Sequence, residues 1–138
     1  MNIDYKINEK ISVKEFQSLL NRSTLGERRP VEDIDCLQGM LSNSNLTVSA
    51  WCKDKLVGIS RCVTDFHYCC YLSDLAVDSE FQKEGIGKQL QIKTQEQLGP
   101  KCDLILLAAP AASSYYEHIG FTHCEQCWAL GRNEQIRT

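Results

Sequence analysis

Three consecutive segments leave few folds open to this chain. Residues 68–77 read as a strand, residues 85–98 place Ile86, Leu90, Thr94 and Leu98 four apart on one helical face, and residues 103–109 are an almost unbroken apolar run. A strand that is apolar at nearly every position needs cover on both faces, which is the condition of a parallel pair. Parallel neighbours need a crossover, and the amphipathic segment between these two strands supplies one. The pattern predicts a βαβ unit, with Gly99-Pro100 ending its helix.

Upstream, residues 46–53 and 56–65 are rich in Val, Ile, Thr and Trp and flank Lys53-Asp54-Lys55, the pattern of a β-hairpin. With residues 68–77 they form an antiparallel meander, and residues 2–7 add a short strand. Ser12-Val13-Lys14-Glu15 is a capping box that opens a helix to about Asn21. A second helix is expected from Pro30, with Ile34, Leu37 and Leu41 on one face. Downstream, residues 111–119 read as a short helix ended by Gly120, burying Ala112, Tyr115 and Ile119 and turning His118 outward; residues 121–130 read as a last strand. The fold class is α/β (α+β), with antiparallel N-terminal strands before one βαβ crossover.

No repeat, low-complexity tract or linker interrupts the 138 residues, so residues 1–138 are expected to form a single domain. With 43% hydrophobic and 24% charged residues the chain is neither disordered, collagenous nor coiled-coil. Its net charge of −3 and lack of any basic run leave out the field that nucleic-acid binding needs. The longest apolar stretch is far short of the ~20 residues of a membrane span, and MNIDYKINEK has no apolar signal core. These features predict a soluble, cytoplasmic protein without nucleic-acid or membrane partners, its eight cysteines reduced thiols. Cys124-Glu125-Gln126-Cys127, beside His123, is a lone CxxC. On a strand its cysteines point to opposite faces, which suits neither a shared metal nor a disulfide, and no metal is expected. Cys69 and Cys70 likewise alternate faces as small strand residues.

The segment Gln82-Lys83-Glu84-Gly85-Ile86-Gly87 lies between a strand and a helix. Glycines at 85 and 87 let a ligand approach the backbone, the first N–H groups of the helix are unpaired, and Lys83 and Lys88 add positive charge. A diphosphate fits such a site. The alternative is a plain helix start with two glycines in its loop. A Walker loop is excluded by spacing, and a dinucleotide fingerprint by Leu90 in the place of a third glycine.

QKEGIG matches the pattern Q/R-x-x-G-x-G/A of the GNAT superfamily of N-acyltransferases, and the chain resembles a small, single-domain, bacterial-type member of it. Tyr71-Leu72-Ser73-Asp74-Leu75-Ala76-Val77 resembles that family's fourth strand. Ser114-Tyr115-Tyr116-Glu117-His118-Ile119-Gly120-Phe121 resembles its Tyr-x-x-x-Gly-Phe element. The resemblance implies acetyl-CoA as co-substrate. Backbone groups of Leu75, Ala76 and Val77 would hold the pantetheine arm and acetyl carbonyl, while Gln82, Lys83, Glu84, Gly85, Ile86, Gly87 and Lys88 would wrap the diphosphate. It further implies a bulge near residues 74–77, a fourth strand splayed from the fifth, Tyr116 beside the thioester sulfur, and in some members a homodimer.

Acetyl transfer to an amine needs a neutral nucleophile, a polarised carbonyl and a proton for the leaving thiolate. An amine of pKa ~10.4 is neutral in only about one part in 2,500 at pH 7, a handicap near 4.6 kcal/mol. A base or water chain must therefore take part. Asp74 is the first candidate, followed by Glu32, Asp65 and His67; the Leu75 N–H would polarise the carbonyl and Tyr116 would be the general acid. In Glu27-Arg28-Arg29-Pro30-Val31-Glu32-Asp33, where the family builds its acceptor pocket, the acids favour a cationic amine and the arginines a carboxylate. The expected activity is acetylation of a primary amine of a small molecule or peptide in a ternary complex. The alternatives are a non-catalytic acyl-CoA sensor and a cysteine-based metal or redox protein.

Overall fold

The computed structural model describes residues 2–138. Five strands and four α-helices follow one another as β1 (Asp4–Ile7), α1 (Val13–Arg22), α2 (Ile34–Ser42), β2 (Leu46–Cys52), β3 (Lys55–Thr64), β4 (Cys69–Val77), α3 (Ile86–Glu96), β5 (Asp103–Leu106) and α4 (Ser113–His118). The strands form one sheet in the order β1-β2-β3-β4-β5, antiparallel except for the parallel pair β4/β5 that α3 connects. The mixed architecture and the βαβ crossover are those expected. Contacts divide the chain into two compact units, the first ending at Leu106 and the second spanning Leu107–Thr138.

In the first unit the sheet is covered on both faces. Phe16, Leu19 and Leu20 of α1 and Leu37 of α2 pack with Trp51, Leu56, Ile59 and Ala76. Ile86 and Leu90 of α3 pack on Val48, Ala50 and Val57, and beyond them Leu46, Cys62, Cys70 and Leu72 continue the apolar layer. Each large aliphatic side chain so buried stabilises the fold by roughly 1.5–3 kcal/mol. α1 starts at its capping box: the Ser12 hydroxyl accepts from Glu15 N–H at 3.1 Å, and the Glu15 carboxylate accepts from Ser12 N–H at 3.1 Å.

Several local expectations differ from the structure. α2 begins at Ile34, not Pro30, because Asp33 is the stronger cap, its carboxylate accepting Cys36 N–H at 3.0 Å. Pro30 instead lies in a turn closed by Asp33 N–H on Pro30 O, and Ile34 faces solvent. β5 ends at Leu106 and alternates exposed and half-buried residues. Asp103 and Ile105 are exposed, so the face they share is not covered as the apolar run suggested, and with β4 as its one strand neighbour among the described residues β5 also leaves an edge free.

In the second unit, described by itself, a 3-10 turn at Pro110–Ala112 leads into α4. Tyr116, not Tyr115, joins Ala112, Ile119 and Phe121 on the half-buried side, and His118 is exposed as expected. Residues 121–130 form no strand: they carry strand-like residues, but this unit contains no other strand to pair with.

Candidate active site

β4 carries a bulge at the position where it leaves β5. Its register with β3 runs Arg61↔Asp74 and then Cys62↔Leu72, which leaves Ser73 with no residue opposite. The parallel register with β5 stops at Leu72↔Leu106. From Ser73 to Val77, the edge of β4 turned away from β3 pairs with no strand among the described residues. The bulge also resets which side chains face which layer. Cys70 and Leu72 belong to the α3-side core, as do Leu75 and Val77 after the bulge, while Asp74 and Ala76 turn to the α1/α2 side. The bulge thus precedes the expected residues 74–77 by one position.

The loop after β4 is fastened at its start. Asp78 N–H donates to Val57 O at 2.8 Å, and its carboxylate accepts Glu80 N–H at 2.9 Å while pairing with Arg22 and, at 3.7 Å, with Lys55. Arg22 also donates to Leu56 O at 3.0 Å, tying the end of α1 to the same corner. Burial pushes the Asp78 carboxyl up, but the Glu80 N–H and the charges of Arg22 and Lys55 outweigh it and hold it below the usual carboxylate range. Stability from a depressed carboxyl is whole above the unfolded value and is lost as pH falls through the folded one. Asp78→Asn is therefore expected to lower stability at pH 7 and to flatten the decline below about pH 4; denaturant unfolding from pH 2 to 7 reads both, and parallel profiles would contradict the assignment.

Next, the Gln82 amide donates to Val77 O at 3.2 Å. Lys83 and Gly85 adopt left-handed φ of 68° and 80°, turning the chain into α3. At Gly85 that conformation favours glycine even though a Cβ would meet nothing within 4 Å. No side chain caps α3; its first intrahelical bond is from Gln89 N–H to Gly85 O at 3.1 Å, so the N–H groups of Ile86, Gly87 and Lys88 have no helical acceptor. A Cβ on Gly87 would touch only Val77 Cγ2, at 3.7 Å, so open space lies beside these donors. Ile86 is buried, while Lys83, Glu84 and Lys88 are exposed. Three N–H groups at a helix start, two flanking lysines and a missing Cβ fit a diphosphate.

Asp74 is fully buried and engaged on both oxygens, Oδ1 by Arg29 Nε and Oδ2 by Arg61 Nε. Arg61 continues to Met40 O (3.2 Å), Ser44 Oγ (2.8 Å) and Ser73 Oγ (3.0 Å), so the group ties the bulge to α2 and the segment before it. A general base must reach substrate or water, and this carboxylate is wholly buried with a guanidinium on each oxygen, a geometry that suits a positioning role better than the expected role of base. Its removal would strand two guanidinium groups. Asp74→Asn is expected to lose about 3–5 kcal/mol in denaturant unfolding, and unchanged stability with lost activity would instead restore the base.

The other base candidates are not gathered at the bulge. Glu32 is exposed before α2. Asp65 and His67 lie in the β3–β4 turn, at the end of β4 remote from Val77. Asp65 accepts N–H groups of Tyr68, Cys69 and His67, and these bonds hold its carboxyl at about 2. Arg61 was missed by sequence reasoning; a charged residue inside the otherwise uncharged 56–63 stretch was its signal.

In the second unit the Tyr-x-x-x-Gly-Phe element is a helix stop. Gly120, at φ 107°, gives its N–H to Glu117 O at 3.1 Å, and Phe121 N–H donates to Tyr116 O at 2.9 Å, the paired bonds of a Schellman motif. The motif folds Phe121 back onto Tyr116, ring centroids 5.4 Å apart, with Tyr115 edge-on at 5.2 Å. Burial, and secondarily Tyr115, raise the Tyr116 phenol above its ordinary value, which keeps it protonated. All eight cysteines are free; Cys124 and Cys127 are exposed, and Cys69 is exposed where Cys70 is buried.

A family model described as an acetyltransferase (GNAT) domain matches residues 17–128. The chain belongs to the GNAT acetyltransferase family, and membership implies acetyl-CoA-dependent acetyl transfer. It is 24% identical over 127 residues to the uncharacterized N-acetyltransferase ycf52 of Gracilaria tenuistipitata var. liui, covering 88% of this chain and 68% of that protein. It is 31% identical over 114 residues to a ycf52-like protein of Prochlorococcus marinus, also uncharacterized, covering 78% and 61%. The chain thus spans about two thirds of the length of these relatives. Among solved structures, the GNAT-family protein SP0256 of Streptococcus pneumoniae TIGR4 superposes with a TM-score of 0.75 at 20% identity, over 96% of this chain and all of that one. The aminoglycoside N-acetyltransferase AAC(6')-Iy, solved in complex with CoA, gives 0.72 at 15% identity over 96% and 95%. At these identities the likeness is one of fold.

Proposed function

We propose that this protein is an acetyl-CoA-dependent N-acetyltransferase, acting as a single domain on a primary amine of a small molecule or peptide by direct attack in a ternary complex. The observation that carries the reading is a coincidence of two features: β4 leaves β5 at the Ser73 bulge, and the same strand runs on through a fastened loop into the uncapped start of α3. The co-substrate supplies an activated acyl thioester. Gln82, Lys83, Glu84, Gly85, Ile86, Gly87 and Lys88 hold its diphosphate, and the freed backbone edge of Leu75, Ala76 and Val77 holds the pantetheine arm. Leu75 N–H polarises the acyl carbonyl as negative charge grows on its oxygen. Tyr116, protonated across the physiological range, gives its proton to the departing sulfur. With Asp74 committed to two arginines, the amine loses its proton through water. A cytoplasmic location is part of the same proposal, in line with reading the eight cysteines of the sequence as reduced thiols. No described helix is long and apolar enough to cross a membrane.

Purified protein given acetyl-CoA and a panel of amines is expected to release free thiol in an amine-dependent manner and to yield a product heavier by one acetyl group. Binding of acetyl-CoA without such release would make the chain a sensor instead.

A further inference from the structure

The ion-pair group beneath the bulge holds one more cation than anion. Asp74 is wholly buried, Arg61 is 7% exposed at its side chain and Arg29 22%, and among the described residues no other carboxylate pairs with either guanidinium. Arg61 spends four of its five N–H donors on Asp74, Met40 O, Ser44 and Ser73. Arg29 spends three, on Asp74, Arg28 O (2.8 Å) and Ser73 O (2.6 Å). One N–H remains on each Nη of Arg29. An excess positive charge on a half-buried guanidinium favours an anion, and two free N–H groups on one planar guanidinium match the two oxygens of a carboxylate.

Its place in the fold connects this excess to the reaction. Arg29 grips Ser73, the residue at which β4 parts from β5, from the α1/α2 side, whereas the uncapped start of α3 packs on the other face. The sequence left the charge of the acceptor open between the acids and the arginines of residues 27–33. In the structure Glu27, Arg28 and Glu32 are exposed, Asp33 is spent on capping α2, and Arg29 is the charged residue of that run that is half-buried. We propose that Arg29 determines acceptor specificity by binding a carboxylate carried on the acceptor amine, so that the acceptors are amino acids or short peptides. This inference rests on the acetyl-transfer reading.

Matched acceptors that differ only in carboxylate against carboxamide, from α-amino acids to dipeptides, test it alongside calorimetric titration with acetyl-CoA. The carboxylate member is expected to be favoured at least about tenfold in kcat/KM, mainly through KM. Arg29→Gln should bring the pair within about twofold, while Arg29→Lys, which keeps a charge on Asp74, should retain part of the preference. Denaturant unfolding identifies which variants are folded; should Arg29→Gln not fold, the wild-type ratio and the partial loss in Arg29→Lys decide. Equal use of both members by the wild type, an unchanged ratio in a folded Arg29 variant, or failure of every carboxylate-bearing amine to be acetylated despite acetyl-CoA binding overturns the inference and leaves cofactor binding standing. Absence of acetyl-CoA binding overturns the acetyl-transfer reading itself.

Discussion

Replacing Tyr116 by phenylalanine is expected to cut turnover at least tenfold while acetyl-CoA affinity stays within about twofold. The substitution keeps the ring that packs edge-on against Tyr115 and Phe121 and removes only the hydroxyl. Burial holds that phenol protonated, so its loss takes away the proposed proton donor and spares the packing. Because the phenol titrates above the ordinary tyrosine value near 10, the wild-type rate should show no decline assignable to Tyr116 below that pH. Steady-state kinetics at saturating acetyl-CoA, paired with calorimetry, separates the two effects. Unchanged turnover would remove Tyr116 from the mechanism.

Gly87→Asp should weaken acetyl-CoA binding roughly 30-fold or more, ~2 kcal/mol. The space beside Gly87 is open except for Val77, so the new carboxylate enters it without a clash and sits among the N–H donors proposed to bind the diphosphate. An acid in the first turn of a helix is favourable, so folding should survive. Gly87→Ala adds only a methyl group at ordinary contact distance and should weaken binding less. Comparable losses in both variants would show that shape, not anion recognition, governs the loop.

The sequence revealed most where the signal was local. Ser12 and Glu15 mark the start of α1 within four residues, and Ile86, Leu90 and Thr94 mark the buried face of α3. The glycine loop was legible for the same reason. Competition between two local signals misplaced α2, where the Asp33 cap overrides Pro30. Long-range pairing hid the rest. Nothing near Asp74 in the chain announces that Arg29 and Arg61, 45 and 13 residues away, occupy both of its oxygens. Residues 121–130 have strand chemistry, but a strand exists only beside an edge that accepts it, and local pattern does not supply one.

The central claim is that the loop from Gln82 to Lys88 and the freed edge of β4 hold coenzyme A. Calorimetric titration of folded wild-type protein with acetyl-CoA measures it directly. The account predicts saturable heat at one equivalent that weakens sharply in Gly87→Asp; a folded protein giving no heat with acetyl-CoA or with coenzyme A would contradict it.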